Sequence, residues 1–161
     1  MKKVIIIFIS VGIIILLGVV FIPGLLDEYQ SRSAVKNVLD NVIDEDYENA
    51  FDSVYYYDVA SDLEPIISYE DARKQWIERI KDLKQDGIYL VEYSDLRVKL
   101  DDTYPTGTVD LVIMENGEQI IKDNVRLWFG QRDDKWKLGN LDYRFDEVEE
   151  GWEVALSGNF N

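Results

Sequence analysis

The sequence predicts an α+β protein in which an N-terminal transmembrane helix precedes a domain of helices packed on an antiparallel sheet. Three observations support this prediction. An uncharged apolar run occupies residues 4–22, apolar side chains then recur every three or four residues as far as Gly87, and beyond Gly87 they alternate with polar ones. The first pattern is typical of a membrane-spanning helix, the second of amphipathic helices and the third of half-buried strands.

Residues 4–22 have the length and composition of a single-pass membrane anchor. Their only polar side chain is that of Ser10. A helix of this length spans about 28 Å, close to the hydrocarbon thickness of a bilayer. Two lysines precede the run, whereas Asp27 and Glu28 follow it. The positive-inside rule therefore predicts a cytoplasmic N-terminus and an extracytoplasmic remainder at the cell membrane.

A cleaved secretory signal is the alternative interpretation of the same run. The apolar stretch is longer than a signal core, and no small-x-small cleavage site follows it, so we expect an uncleaved signal-anchor. Pro23 and Gly24 predict a helix break at the membrane surface, which would leave the domain on a short tether. The chain then divides into a cytoplasmic tip and anchor (1–24), an extracytoplasmic α+β domain (25–144) and an acidic C-terminal strand or tail (145–161).

Three helices are expected ahead of the sheet. Apolar residues spaced as one face of a helix run through residues 25–43. The acidic run at 44–46 interrupts that helix and precedes a second, short one, where carboxylates complement the helix dipole. A third helix is predicted to begin at Ser68, whose spacing to Asp71 resembles a capping box, and to end at Gly87.

The segment after the third helix is predicted to form antiparallel strands. Residues 88–101 include an alternating stretch, and their first part belongs either to the same strand or to a partner before it. Pro105 and Gly107 predict the next turn. Asn116-Gly117 then predicts a hairpin, because both central residues of such a turn need positive φ.

The hairpin sets the register of its two strands. Counting outward from the turn places Ile113 opposite Ile120, and it places Asp110 opposite Asp123. Two like charges in direct opposition are unfavourable, so we expect a β-bulge near Asp123 and Asn124. A last strand, residues 136 to about 143, is expected after a polar turn.

The composition excludes several kinds of site. The chain has no Cys and no His, which removes disulfides, thiolate chemistry, the usual general base and the usual zinc ligands. The part after the apolar run combines 32 acidic with 15 basic residues, a net charge of −17, so no nucleic acid partner is expected. Neither a calcium-binding loop pattern nor a glycine-rich phosphate loop is present. We therefore expect no catalytic residue, no metal and no cofactor.

The order of three helices followed by about four antiparallel strands resembles the cone-shaped α+β fold of the nuclear transport factor 2-like (NTF2-like) superfamily. A short acidic-aromatic helix, a third helix bearing Trp76 and a closing turn into Trp136-Lys137-Leu138 support the likeness over roughly residues 31–144. The resemblance implies a curved sheet that wraps helices around an apolar pocket. A cystatin-like domain is the alternative, and the fold alone does not select a function.

Strand carboxylates, tyrosines and tryptophans are the candidates for a pocket or an interface. An isomerase-like member of the superfamily would need a pocket carboxylate as base and a phenol as oxyanion donor. We expect Trp152 to be exposed as an interface anchor and the other tryptophans to pack in the core. The candidate residues are Trp76, Tyr89, Tyr93, Asp110, Asp123, Trp128 and Trp152.

These observations lead to an expectation of a non-catalytic extracytoplasmic domain that binds a protein of the cell envelope. A pocket for a small apolar ligand, with or without weak isomerase-like activity, is the alternative. A third is an accessory subunit whose anchor itself carries the interaction. Two lysines before an Ile-rich anchor, with no Cys and no glycosylation sequon, are typical of a bacterial chain.

Overall fold

The fold is that of a computed structural model, which describes residues 2–58, 65–141 and 152–160. For residues 2–22, and for 153 and 154, it describes the backbone alone. The architecture is α+β, with helices packed against a four-stranded antiparallel sheet, as the sequence predicts. In chain order the described elements are α1 (Lys2–Ile43), α2 (Tyr47–Phe51), α3 (Tyr69–Gln85), β1 (Tyr89–Asp101), β2 (Tyr104–Glu115), β3 (Glu118–Arg132), β4 (Lys135–Leu141) and α4 (Trp152–Leu156).

Helix α1 is continuous, and the predicted break at Pro23 and Gly24 is wrong. Pro23 lies inside the helix, where a proline removes one backbone hydrogen bond without necessarily ending the helix. Gly24 serves packing instead, since a Cβ at that position would lie 3.2 Å from Leu100 Cδ1. The first part of the domain helix therefore packs closely against the end of β1.

The predicted membrane anchor lies outside the part of the chain whose side chains are described. Among the helical segments with described side chains, none is both long enough and apolar enough to cross a bilayer. The backbone of residues 4–22 belongs to α1 and leads directly into the helix that packs on the sheet.

The sheet is an antiparallel meander in the order β1-β2-β3-β4. Ile113 pairs with Ile120 across the β2–β3 turn, which confirms the predicted register. Asn116 and Gly117 have φ angles of 53° and 83°, as the predicted hairpin turn requires. Residues Tyr89–Asp101 form one long strand, β1, which pairs with β2 and, within the part of the chain that the structure describes, with no other strand. The first of the two alternatives for this segment is therefore correct.

A β-bulge interrupts the β2–β3 pairing where the sequence predicts one. The register shifts between Val109 and Leu111, and Asn124 adopts a φ of 55°. Asp110 uses a carboxylate oxygen to accept the backbone N–H of Asn124 at 2.7 Å. The bulge thus removes the direct opposition of Asp110 and Asp123 and gives one carboxylate a hydrogen-bond donor.

The turn predicted at Pro105 and Gly107 is wrong, because both residues lie within β2. The chain reverses before Tyr104, where Asp102 takes a φ of 59°. Gly107 is required for a close approach between strands, since a Cβ there would lie 2.6 Å from the carbonyl oxygen of Arg97. Aspartate tolerates the left-handed conformation through its short polar side chain, so this turn needs no glycine.

Side chains cap the N-terminal ends of α2 and α3, and the sequence predicts the cap of α3 and its end at Gly87. Asp46 caps α2 by accepting the N–H of Asn49, and Ser68 caps α3 by accepting the N–H of Asp71 at 3.2 Å. Gly87, with a φ of 83°, ends α3 in a Schellman motif. The N–H of Gly87 donates to the carbonyl of Lys84 at 3.1 Å, and the N–H of Ile88 donates to the carbonyl of Leu83 at 2.8 Å.

The hydrophobic core lies between the helices and one face of the sheet. Alternate residues of β2 face it, and α1 contributes the apolar stripe predicted for residues 25–43. Large side chains that are fully buried include Trp76, Phe51, Phe129, Leu39, Leu111, Ile113, Leu138 and Leu156. Leu156 belongs to the C-terminal segment, which is therefore part of the core.

The predicted C-terminal strand or tail is, where it is described, the helix α4 followed by an extended stretch. Residues 145–151 and the end of the predicted last strand, 142 and 143, lie outside the described residues. Trp152, Val154 and Leu156 alternate along the chain, which is the pattern that favours a strand here. Five residues are too few for their spacing alone to distinguish a helix from a strand.

Candidate functional site

The C-terminal residues 156–160 lie in a groove that we call the tail groove, formed by α3, β4 and residues 54–57. Residues 54–57 run parallel to β4, with a bridge between Val54 and Leu138. The tail continues this arrangement, because Tyr57 donates its N–H to the carbonyl of Gly158 at 2.8 Å and accepts from the N–H of Phe160 at 2.9 Å. The N–H of Gly158 in turn donates to the carbonyl of Gly139 at 2.7 Å. The tail is thus bound largely through its main chain.

Helix α3 supplies the other wall of the tail groove with two side-chain donors. Trp76 donates its indole N–H to the carbonyl of Leu156 at 3.2 Å. Arg79 donates to the carbonyl of Ser157 at 2.9 Å and to that of Asn159 at 3.0 Å. Three hydrogen bonds to main-chain carbonyls therefore hold the tail against α3.

The guanidinium of Arg79 is a half-buried cation. Its Cζ lies over the ring of Phe160, 4.6 Å from the ring centroid. Desolvation lowers the pKa of Arg79 to about 10. Among the residues whose side chains the structure describes, no carboxylate forms an ion pair with it, and its Nε has no hydrogen-bond partner. Carbonyl dipoles and an aromatic face lie against the charge and stabilise it.

A buried polar contact holds the tail to β4. Asn140, which is 6% exposed, donates its amide N–H to the hydroxyl of Tyr57 at 2.7 Å. Ser157, which is 7% exposed, donates its hydroxyl to the side-chain oxygen of Asn140. Both amide atoms of Asn140 are thereby satisfied, as a buried amide requires. The hydroxyl of Ser157 thus supplies the donor that the buried amide oxygen of Asn140 needs.

A separate cleft of about 280 Å³ opens where the end of α1 meets α3, β1 and α4. Lys84 lies at this cleft and pairs with Glu45 at 2.7 Å between Nζ and Oε1. The Lys84 ammonium also lies 5.6 Å from the centroid of the Tyr89 ring. The hydrogen bond that Lys84 donates to Glu45 raises the pKa of Lys84. Trp152 contributes to the wall of the cleft, so two of the predicted candidate residues, Tyr89 and Trp152, meet here.

The expectation that Trp152 is an exposed interface anchor is wrong. Its side chain is 3% exposed and packs in the hydrophobic core, because α4 folds back onto α3 and β4. Trp76 is fully buried, as expected for a core tryptophan. Trp128 is half-buried and packs edge-on against Tyr55 and Tyr57, with ring centroids 5.7 and 5.5 Å away.

The candidate carboxylates Asp110 and Asp123 do not pair with the candidate tyrosines Tyr89 and Tyr93. Tyr93 donates its hydroxyl to Asp40 on α1 at 2.6 Å, and burial together with this hydrogen bond raises the pKa of Tyr93. Its partner across the sheet is Leu111, so the adjacent Asp110 points to the opposite face. Asp123 is exposed beside the bulge. Tyr89 pairs with Met114, which lies roughly 13 Å along β2 from Asp110.

No family model, no curated protein and no solved structure matches this chain. Its candidate site is defined by the contacts of its own residues. Within residues 2–58, 65–141 and 152–160, no group of three or more acidic side chains is arranged to hold a metal ion. The donors of the tail groove are N–H groups, which suit carbonyl oxygens of a peptide.

Sequence reasoning missed the residues that form the tail groove, above all Arg79 and Asn140. One signal pointed to Arg79. Arg79 lies three residues after Trp76 and next to Ile80. Its charged side chain is therefore at the edge of the apolar stripe of α3, where it can contact buried groups. Asn140 gave no such signal, because its contacts with Tyr57 and Ser157 join segments far apart in the chain.

Proposed function

We propose that the protein is a single-pass membrane protein whose extracytoplasmic α+β domain binds a protein of the cell envelope without catalysing a reaction. The observation that supports this most directly is an exposed apolar patch at the start of the described part of α1. Leu25, Leu26 and Tyr29 are 67%, 52% and 70% exposed. They directly extend the uncharged run of residues 4–22 along the same helix.

The bilayer is the partner of these apolar side chains. Moving a leucine fully out of water contributes about 1.5–3 kcal/mol. A tyrosine is favoured at the depth of the lipid head groups, where its ring is apolar and its hydroxyl is hydrated. In this proposal the membrane interface lies within this turn of α1, and the order Leu25, Leu26, Asp27, Glu28, Tyr29 supports it.

The domain is mounted on its anchor without a tether in this proposal. Helix α1 has no interruption between residues 4–22 and the buried stripe that includes Val35 and Leu39. The contact of Gly24 with Leu100 fixes the end of β1 beside the same turn. The short tether expected from Pro23 is replaced by a rigid helix, so the β1–β2 turn faces the membrane surface.

The resemblance to the NTF2-like superfamily remains part of the proposal. It is supported by three helices that precede a four-stranded antiparallel meander and pack on one of its faces. The alternative cystatin-like arrangement uses helix-on-sheet packing as well. A crystal structure of the domain would decide between them by the curvature of the sheet around α1.

Single-cysteine labelling tests the topology, because the native chain has no cysteine that would react. Ser33→Cys lies on the exposed side of α1, and Lys3→Cys lies before the apolar run. In intact cells a membrane-impermeant maleimide should label Ser33→Cys at once and Lys3→Cys only after permeabilisation. The reverse pattern, or recovery of the chain in the soluble fraction, would contradict the proposal.

Binding to an envelope protein is tested by photo-crosslinking in cells. A photoreactive residue at Ile121, which is 68% exposed at the β2–β3 turn, reports on the surface far from the anchor. A second at Ile66, 86% exposed before α3, reports on the side of the helices. A discrete crosslinked species from either position is expected. Recovery of uncrosslinked monomer alone from both positions would count against a protein partner.

A small-ligand function is the second candidate, and the cleft of about 280 Å³ favours it. Its wall combines apolar and aromatic side chains with the Lys84–Glu45 pair, which suits a small amphipathic molecule. The substitution Val91→Trp should fill the cleft. An apolar fluorescent probe such as anilinonaphthalenesulfonate should bind the parent chain and lose at least tenfold in affinity for Val91→Trp, and equal binding would contradict this candidate.

A further inference from the structure

Helix α1 and strand β1 run side by side in opposite directions. Near the start of the domain, a Cβ on Gly24 would lie 3.2 Å from Leu100 Cδ1. At the other end of the pair, Tyr93 donates its hydroxyl to Asp40 at 2.6 Å. The helix rises roughly 24 Å from Gly24 to Asp40, and the strand rises roughly 23 Å from Tyr93 to Leu100. The two elements therefore stay level, so a position at the end of β1 corresponds to a depth along α1.

The β1–β2 turn, residues 102 and 103, extends past Gly24 toward the apolar run. It follows Leu100 by two residues, and a strand rises roughly 3.3 Å per residue. The turn therefore reaches roughly 5 Å beyond the level of Gly24, a distance that a helix covers in about three residues. The turn is thus level with residues 21 and 22, which are the last of the apolar run.

The β3–β4 turn lies at the same end of the sheet, as the first and third turns of an antiparallel meander must. Tyr104 is the first residue of β2 and Trp136 the second of β4, and their rings meet edge-on with centroids 5.3 Å apart. Tyr104 is 36% exposed and donates its hydroxyl to the carbonyl of Phe129, which holds the ring against the sheet. Trp136 is half-buried. In the proposed orientation this aromatic pair lies near the head groups, where tyrosine and tryptophan are enriched in membrane proteins.

Residues 97–104 and 131–137, which we call the turn face, differ in charge from the rest of the domain. They combine five basic with four acidic residues, a net charge of +1, whereas the chain after the apolar run has a net charge of −17. Lys99 and Lys135 are exposed beside exposed aspartates of the two turns. A zwitterionic head group carries a phosphate and an ammonium group, so a balanced set of lysines and aspartates complements both. The turn face is therefore the part of this acidic domain that suits a lipid surface.

We infer that the turn face is a second membrane contact, seated in the zwitterionic head groups around the anchor. The ring of Tyr104 enters the head-group layer, and Lys99 and Lys135 pair with lipid phosphates. The inference rests on the proposed single-pass anchor and adds a fixed orientation of the domain. The β2–β3 turn, with Ile121 68% exposed beside it, then faces away from the membrane and toward an envelope protein.

Electron paramagnetic resonance of the full chain in phosphatidylcholine nanodiscs tests this contact. The native chain has no cysteine, so Thr103→Cys and Gln119→Cys each carry a single nitroxide label. Both positions are exposed, the first in the β1–β2 turn and the second at the opposite end of the sheet. We measure the ratio of collisions with lipid-soluble oxygen to collisions with a water-soluble nickel chelate. This ratio should be at least threefold higher at position 103 than at position 119.

Substitutions of Tyr104 separate a lipid contact from a structural role. Tyr104→Phe keeps the ring and should leave the collision ratio at position 103 unchanged. Tyr104→Ser removes the ring and should lower that ratio at least twofold. Ile121→Ser removes an exposed apolar side chain at the far end of the sheet, so it is the matched control and should have no effect.

Equal collision ratios at positions 103 and 119, in chains that enter the nanodiscs, would overturn the inference and leave the proposed anchor intact. Low collision rates with both reagents at position 103 would place a protein surface, such as a second copy of the chain, on the turn face and would overturn it as well. A chain that does not enter the nanodiscs would instead overturn the proposed anchor, and with it the inference.

Discussion

The guanidinium of Arg79 donates to the carbonyl of Ser157 at 2.9 Å and so joins α3 to a residue 78 positions later in the chain. This contact, with its neighbour at Asn159, ties the C-terminus to the helical side of the domain. The contact thereby joins α3 to a segment that is distant in sequence. Loss of this contact should lower the stability of the whole domain.

Arg79→Met should lower the free energy of unfolding by about 2 kcal/mol, because two carbonyls lose a charged donor. Urea unfolding of the full chain in micelles, followed by tryptophan fluorescence, measures the change. Lys74→Met is the control, since that side chain is 75% exposed, and its effect should stay within about 0.5 kcal/mol. Equal stability of the two variants would show that the tail is not held by Arg79.

Gly139→Ala should destabilise the fold by about 1–3 kcal/mol, because the added methyl group would overlap the ring of Trp128. Gln131→Ala, on an exposed position of β3, is the comparison and should be nearly neutral. In the double variant with Trp128→Ala, the cost of Gly139→Ala should largely disappear. Additive costs in this double-mutant cycle would be inconsistent with the packing of Trp128 on Gly139.

Asp110→Ala should cost about 1–2 kcal/mol of stability, because the N–H of Asn124 loses its acceptor at the bulge. Asp123→Ala removes a carboxylate of the same kind from an exposed position and should change stability by less than about 0.5 kcal/mol. Chemical denaturation of both variants measures the difference. A larger loss for Asp123 than for Asp110 would contradict the observed role of the bulge.

Stability should fall at high pH through tyrosines whose pKa is raised in the folded state. Burial and the hydrogen bond to Asp52 raise the pKa of Tyr69 to about 12, and burial raises that of Tyr104 to about 12. An unfolded tyrosine titrates near 10, so the folded state holds these protons longer. Their contribution is complete below about pH 10 and is lost as the pH rises toward about 12.

The double variant Tyr69→Phe, Tyr104→Phe tests this pH dependence, since phenylalanine cannot ionise. Its urea midpoint should change less between about pH 9 and 12 than that of the parent chain. Each single variant should fall between the two. A parent chain whose midpoint is constant over this range would contradict the raised pKa values.

Features set by neighbours in sequence were predicted correctly. The Asn116-Gly117 turn, the register of Ile113 with Ile120 and the cap of α3 depend on side chains within a few residues of each other. The bulge was predicted because a simple residue count exposed the clash of two aspartates. Local conformational preference and period-two alternation are sufficient for such features.

The wrong predictions concern residues whose role depends on a distant contact. Gly24 and Gly107 looked like breaks in secondary structure, but each makes room for another strand. Trp152 is predicted to be an exposed anchor, but it lies in the core because α4 packs against the domain. Glycine occurs both at breaks and at close contacts, and tryptophan both at interfaces and in cores. Which of these applies depends on the residues that lie nearby in the folded chain.

The sequence by itself determined the α+β class, the apolar run of residues 4–22, the acidic character of the domain and most of its turns. These follow from composition, periodicity and local chemistry. Only the tertiary structure decided that Arg79, Asn140 and Tyr57 meet around the C-terminal tail. Their contacts join segments up to 83 residues apart. A single sequence shows no periodic pattern for such contacts. They depend on how α3 and β4 pack in the folded chain and not on residues that are neighbours in sequence.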